Sequence, residues 1–188
     1  MGQLGWVIDL MRCVGCHACA VACKAENNTA PELSPLTVRN ARAVAVNYRK
    51  VLYLESGTYP NPSRTFVTMA CHHCDEPACL KSCPVEAISK RESDGIVLVD
   101  YDKCIGCKYC MWACPYGALQ FNETTQKVEK CTFCVHRIDA GLQPACVVTC
   151  PARALTFETD FAEAQSGENA PAGFAPASYT EPSVRFKT

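Results

Sequence analysis

An α+β fold built from two cysteine-rich modules, one nested inside the other, with a hairpin insertion and an extended C-terminal tail, is the architecture this sequence predicts. Three observations carry that expectation. The sixteen cysteines of the 188 residues fall into four groups of four. The segment Val7-Ile8-Asp9 ahead of Cys13-Val14-Gly15-Cys16 recurs as Leu98-Val99-Asp100 ahead of Cys104-Ile105-Gly106-Cys107, with the Asp four residues before the first Cys both times. Cys83, Cys114 and Cys150 each open a C-P-x-x-A-[IL] stretch. Repetition on this scale marks one supersecondary unit used several times.

The first group, Cys13, Cys16, Cys19 and Cys23, is spaced C-x2-C-x2-C-x3-C, and so is the third, Cys104, Cys107, Cys110 and Cys114. This is the run of the bacterial ferredoxins, whose fourth thiolate ligates the other cluster of a pair. Three thiolates within seven residues can wrap three corners of a cubane, and the fourth points away. The second group, Cys71, Cys74, Cys79 and Cys83, opens the middle spacing to four residues; the last, Cys131, Cys134, Cys146 and Cys150, opens it to eleven. Four groups with no cysteine left over predict four [4Fe-4S] clusters. Zinc prefers two close ligand pairs on a tetrahedron, which leaves the third close cysteine of groups one and three without a role. A disulfide framework belongs to small secreted chains.

Element by element, residues 1–23 form the start of an outer module. Residues 24–70 carry no cysteine; Val44-Ala45-Val46 and Val51-Leu52-Tyr53-Leu54 read as short strands and Thr58-Tyr59-Pro60-Asn61-Pro62 as a turn. That segment is expected to be a surface hairpin between modules, with partner docking as its functional alternative. Residues 71–122 form the inner module. Between Cys83 and Cys104, Ala87-Ile88-Ser89-Lys90, a Ser93-Asp94-Gly95 turn and Ile96-Val97-Leu98-Val99 predict a hairpin. Each C-P step ends its cysteine-bearing turn, because proline fixes φ and donates no N–H, and the apolar residues after it start a strand. Residues 123–160 complete the outer module. From 161 the sequence becomes rich in Ala, Gly and Pro, a composition that packs poorly on itself, so 161–188 is expected to lie along a partner.

Chain distance also predicts the crossed pairing. The inner pair of clusters takes Cys71, Cys74, Cys79 and Cys114, then Cys104, Cys107, Cys110 and Cys83. The outer pair takes Cys13, Cys16, Cys19 and Cys150, then Cys131, Cys134, Cys146 and Cys23. Pairing groups one and two is disfavoured by the 47 residues between Cys23 and Cys71.

Other residues near the groups are expected to support rather than ligate. His72 and His73 lie inside a group whose four cysteines are already complete, so packing around the cluster is their expected role; His17 and His136 are weaker candidates still. Tyr109, Trp112 and Tyr116 are expected to shield the third group from water. Lys103, Lys108 and Lys130 place positive charge beside clusters, which favours the reduced form, with solvated surface as the commoner role of such residues. No nucleophile–base pair, phosphate loop or carboxylate dyad stands out, so the chain is expected to move electrons without itself being an enzyme.

Formal charge is −1 with cysteine counted neutral. Four oxidised cores with their thiolates bring the loaded protein to about −9, which argues against a phosphate-backbone partner. Nothing approaches 18 consecutive apolar residues, so no transmembrane helix is expected. Met1 to Leu10 lacks the basic flank and apolar core of a secretory signal. The expectation is a chain that stays in the cytoplasm or is exported folded with a signal-bearing partner, and meets the membrane through a partner.

With these groups in place, residues 6–157 resemble the four-cluster iron–sulfur subunit of the dimethyl sulfoxide reductase, polysulfide reductase and thiosulfate reductase type, within the molybdopterin oxidoreductase family. The stretch Cys104-Ile105-Gly106-Cys107-Lys108-Tyr109-Cys110 through Cys114-Pro115-Tyr116-Gly117-Ala118, followed by Asn122-Glu123-Thr124, is most similar to the dimethyl sulfoxide reductase branch. The resemblance implies a catalytic partner holding molybdenum or tungsten on a bis-pterin, and a membrane anchor exchanging electrons with quinone. It implies an order too, with the Cys13 cluster at the catalytic subunit, then those of Cys131, Cys71 and Cys104. Nitrate reductase-like relatives carry Trp where this chain has Cys107 and hold three irons there; formate dehydrogenase-like relatives end in a membrane helix that these 188 residues lack. A free polyferredoxin serving a tungsten aldehyde oxidoreductase or a hydrogenase, and a structural zinc or iron–sulfur module, remain as alternatives.

Overall fold

The computed structural model describes residues 2–29 and 46–188. Along it run β1 (Gly5–Asp9), α1 (Ala18–Glu26), β2 (Arg49–Ser56), β3 (Ser63–Ala70), α2 (Ala78–Lys81), β4 (Ile88–Lys90), β5 (Val97–Val99), α3 (Tyr109–Ala113), β6 (Gln120–Asn122), β7 (Lys127–Glu129), α4 (Val135–Asp139), α5 (Ala145–Val148), β8 (Leu155–Glu158) and β9 (Val184–Lys187), with 3-10 turns at Glu163–Gln165 and Ala177–Tyr179.

The first strand ties distant parts of the chain together. β1 pairs antiparallel with β8, Trp6 opposite Phe157 and Ile8 opposite Leu155, and parallel with β9, Trp6 opposite Val184 and Ile8 opposite Phe186. Trp6, Val7 and Ile8 are all buried, as befits the central strand of the order β8-β1-β9. Beside this sheet α1, carrying Cys19 and Cys23 of group one, packs on α5, carrying Cys146 of group four. In the inner segment α2 packs on α3, β4 pairs with β5 and β6 with β7. The hairpin expected between Cys83 and Cys104 is present, with Ile88 opposite Val99. Residues Ile88 and Leu155 open strands directly after their C-P-x-x-A steps, and β6 starts one residue after Leu119.

Two expectations change. The cysteine-free segment does form a long hairpin, β2 on β3 from Arg49 opposite Ala70 to Ser56 opposite Ser63. Its turn end is exposed, but its base is core: Val51, Val67, Met69 and Ala70 are buried together with Trp6, Ile8 and Leu155. Val51 stands opposite Thr68 and Val67 opposite Leu52, so the base of the hairpin buries Arg49 and Val51 on one face and Val67 and Met69 on the other. The strand expected at Val44-Ala45-Val46 lies, for its first two residues, outside the described residues.

The tail is the second change. It was expected to be extended against a partner, yet its last strand is part of this chain's own sheet, and Val184 and Phe186 are fully buried. The overall Ala/Gly/Pro composition hid a local signal: Val184 and Phe186 alternate with Arg185 and Lys187, the pattern of a strand with one face in the core. Finally, β6 and β7 pair into a hairpin that spans residues 122 and 123, where a boundary between modules was expected.

Candidate metal centres

The repeat seen in the sequence is a repeat of backbone geometry. The residue just before the second cysteine has positive φ in all four groups: Gly15 at 67°, His73 at 45°, Gly106 at 69° and Phe133 at 57°. A left-handed residue there curls the chain around the space that the cysteines face. Glycine takes this conformation without a Cβ clash; a Cβ on Gly15 would strike the Phe66 ring and one on Gly106 the Gln126 carbonyl. After three of the groups the fourth residue of C-P-x-x-A repeats the device, with Glu86 at 51°, Gly117 at 57° and Arg153 at 50°. Their N–H groups donate back to the carbonyls of Cys83, Cys114 and Cys150 at 3.4, 3.3 and 3.2 Å.

The recurring Asp has a matching explanation. Asp9 Oδ1 accepts from the N–H of Met11 and of Arg12, both at 3.0 Å. Asp100 Oδ1 accepts from Asp102 at 2.9 Å and Lys103 at 3.3 Å. Each Asp builds an Asx turn that aims the chain into the first cysteine, and its carbonyl accepts the N–H of Cys13 or Cys104.

Three hollows follow from these turns. Cys13, Cys16, Cys19 and Cys150 line one. Cys71, Cys74, Cys79 and Cys114 line another. Cys83, Cys104, Cys107 and Cys110 line the third. The remaining four cysteines also meet. Burial pushes the Cys23 thiol up to about 12, Arg49 opposes that, and Cys146 and Cys134 add to it. Burial pushes Cys131 well above the usual thiol range, with Cys23 the next contributor. In every set the fourth member of one group thus stands with the first three of another. Among the described residues no group of three or more His, Cys, Asp or Glu is placed to hold a single metal ion. Four thiols spread around a hollow instead suit a larger inorganic core. Thiols raised by burial give up their protons when a metal centre binds and supplies the compensating charge.

Neighbours of the cysteines fall into three kinds. His72 and His73 are buried, and burial first and nearby cations second hold both rings neutral, His72 at about 3. His72 sits edge-on to Tyr116, centroids 4.7 Å apart, while His73 Nδ1 accepts the Val97 N–H at 3.0 Å. Both therefore pack and orient, as expected. The aromatic shield expected around group three is not formed: Trp112 is 80% exposed and Tyr109 52%. Tyr116 belongs to the second group's site, where it stacks on Phe174 at 4.9 Å and shares a 2.8 Å hydrogen bond with Thr180. Thr180 also hydrogen-bonds Cys74, and the carbonyls of Thr180 and Glu181 accept the N–H groups of Glu76 and Asp75. The tail thus covers group two.

The lysines separate likewise. Lys103 is solvated beside Asp100, 3.9 Å away, and Lys108 lies 3.8 Å from the centroid of the Phe121 ring. Lys130 is not surface at all. It is buried, and its ammonium donates to the carbonyls of Val97 and, at 2.9 Å, Cys131. His17 lines the hollow of the Cys13 set with its Nε2 engaged by the Tyr53 hydroxyl, and His136 meets Glu26 at 2.7 Å. Arg49 escaped the sequence reading, although its position in phase with inward-facing Val51 was a usable signal.

Comparison with known proteins agrees with this geometry. A family model described as a 4Fe-4S dicluster domain matches residues 63–160. A chain of the anaerobic dimethyl sulfoxide reductase of Escherichia coli is 38% identical over 195 residues, covering 98% of this sequence and 88% of the relative. This chain therefore belongs to the 4Fe-4S dicluster family of iron–sulfur subunits. Within it, a subunit of the sulfite dehydrogenase of Allochromatium vinosum is 47% identical over 166 residues, 84% of this chain and 69% of the relative. A subunit of the tetrathionate reductase of Salmonella typhimurium is 44% identical over 144 residues, 77% of this chain and 53% of the relative. As a 4Fe-4S dicluster protein of this kind, the chain carries [4Fe-4S] clusters and is an electron-transfer subunit, distinct from the catalytic subunits of such complexes. Among the described residues no helix is long and apolar enough to cross a membrane.

Proposed function

We propose that the chain holds four [4Fe-4S] clusters in a row and conducts electrons between a molybdenum- or tungsten-pterin catalytic subunit and a membrane anchor that exchanges electrons with quinone. The observation that carries this reading is the connectivity of the four cysteine sets. Cys19 acts electrostatically on Cys23, Cys131 feels Cys71, and Cys79 feels Cys110. Taken in turn, these electrostatic influences support an order from the Cys13 set to the Cys131 set, then the Cys71 set, then the Cys104 set. This is the order that the resemblance implies.

In this reading Cys13, Cys16, Cys19 and Cys150 hold the first cluster. Cys131, Cys134, Cys146 and Cys23 hold the second, Cys71, Cys74, Cys79 and Cys114 the third, and Cys104, Cys107, Cys110 and Cys83 the fourth. Bound there, the clusters supply one-electron redox chemistry with potentials set by burial and by hydrogen bonds to sulfur. The chain supplies those bonds: Ala87 N–H donates to Cys83 Sγ at 3.2 Å and Phe133 N–H to Cys131 Sγ at 3.4 Å. Both ends of the row present exposed apolar side chains, Met11, Val14 and Val21 at one and Ile105, Tyr109 and Trp112 at the other. Two such patches suit two different protein partners, and a subunit reaching the membrane through one of them needs no span of its own. Metal analysis of an anaerobic preparation tests the count. About sixteen irons and sixteen acid-labile sulfides per chain, without zinc, are expected; a value settling near twelve removes one cluster from the scheme.

A further inference from the structure

Arg49 is buried without a carboxylate. It opens β2, is 2% exposed, and among the described residues no acidic side chain pairs with it. One nitrogen, Nη1, donates to Thr68 Oγ1 at 3.1 Å on the facing strand. The guanidinium carbon lies 4.5 Å from the centroid of the Trp6 ring. Nε and Nη2 have no hydrogen-bond partner. An isolated buried cation costs several kcal/mol unless something compensates it, and a neutral ring face compensates only part.

The surroundings name the compensation. Burial works against the charge on Arg49, yet Cys146, Cys131, Cys19 and Cys23 together hold its pKa above the ordinary arginine value. Those four cysteines belong to two sets, Cys19 to the Cys13 set and the other three to the Cys131 set. Thr68 extends the contact. Because its oxygen accepts from Arg49, its own hydroxyl proton is free to point at Cys19 Sγ, 3.4 Å away. A cubane core of charge +2 with four thiolates is a dianion when oxidised and more negative when reduced, so a fixed cation between two of them favours reduction of both.

We propose that Arg49 is the shared counter-cation of the Cys13 and Cys131 cluster sites, raising the reduction potentials of both and, through Thr68, orienting a hydrogen bond onto Cys19. This rests on the assignment of those cysteines to two clusters. It also gives the inserted hairpin a role, because its inward face brings a positive charge to the junction between neighbouring sites. Arg49 is buried inside the chain and acts through the cysteines and Thr68, so it is a positioning and tuning residue.

The test is an EPR-monitored redox titration of the iron-loaded chain and its variants, with iron counted in each sample. In Arg49→Gln two of the four reduction equilibria should fall about tenfold or more, which is about 59 mV per decade for one electron, while the other two stay put. Arg49→Lys keeps the charge and should recover most of the shift. If Arg49→Gln loses iron, Thr68→Val decides, and should lower one equilibrium by removing the hydroxyl on Cys19. Unchanged potentials in an iron-complete variant overturn the proposal and leave Arg49 as packing against Trp6. A wild-type chain without clusters would instead overturn the assignment of the cysteine sets, and the iron count tells the two failures apart.

Discussion

The indole N–H of Trp6 donates to the carbonyl of Cys71 at 2.9 Å, joining residues 65 positions apart. Trp6 belongs to the central strand of the outer sheet, and Cys71 starts the second cysteine group. The same ring stacks on Phe133 with centroids 3.9 Å apart, and Phe133 lies between Cys131 and Cys134. One buried side chain therefore fixes the second and third sites relative to each other, which matters because electron transfer depends on a constant separation.

Replacing that indole gives the first prediction. Trp6→Phe keeps a ring against Phe133 but orphans the Cys71 carbonyl, a loss of about 1–3 kcal/mol for a buried acceptor. Trp6→Ala adds a cavity and should cost about 3–5 kcal/mol. Thermal unfolding of the iron-loaded chain, followed by loss of cluster absorbance, should rank wild type above Trp6→Phe above Trp6→Ala. Equal midpoints for all three would mean that other contacts set the two sites together.

Crossed pairing gives the second. Cys146 and Cys134 act on Cys23 more strongly than Cys19 of its own group does, and Cys23 in turn acts on Cys131. Cys23→Ser should therefore perturb the EPR signal lost in Cys134→Ser and leave that of Cys16→Ser alone. Cys83→Ser should match Cys107→Ser in the same way. A Cys23→Ser spectrum that coincides with Cys16→Ser would overturn the nested arrangement.

How much of this was legible beforehand depends on how local the signal is. The ferredoxin-type cysteine runs, the Asp turns and the C-P steps are short-range signals, and the crossed sets were expected from chain distances around them. The inner hairpin was legible for the same reason, since its turn and both strands lie within one short stretch. What escaped is non-local. Arg49 reads as an ordinary polar residue at a strand start, and only the folding of β2 onto Trp6 and the cysteines makes it a buried cation. Lys130 escaped similarly, because nothing in its neighbours along the chain says that the carbonyls of Val97 and Cys131 will enclose its ammonium. The tail misled because composition over 28 residues outweighed a four-residue alternation at its end.

The tail also yields the third prediction. Truncation after residue 160 removes Phe174, which stacks on Tyr116, and Thr180, which hydrogen-bonds Cys74 and Tyr116. It also strips β9 from β1 and uncovers Ile8 and Leu155 in the core. The shortened chain should lose iron, first from the Cys71 set, and should unfold at lower temperature. Thr180→Val is the milder probe: without the hydroxyl on Cys74 the reduced form of that site is less stabilised, so one potential should fall while iron stays complete. Full iron and an unshifted melt in the truncated chain would show that the tail is dispensable to the fold.

The last prediction concerns what the row of sites connects. In the proposed row electrons that enter at one end leave at the other, and both ends carry exposed apolar residues. At the Cys13 end these are Met11, Val14 and Val21; at the Cys104 end they are Ile105, Tyr109 and Trp112. A partner that covers one patch leaves the other free, so charge placed at each should release a different protein. Native isolation of the tagged chain should bring down a large subunit containing molybdenum or tungsten together with a small membrane protein. Val14→Glu should deplete the large subunit and spare the membrane protein, whereas Trp112→Glu should do the reverse, with iron content unchanged in both. Loss of both partners from either variant would mean a single shared interface. Recovery of an iron-complete chain alone would favour a free polyferredoxin serving another redox enzyme.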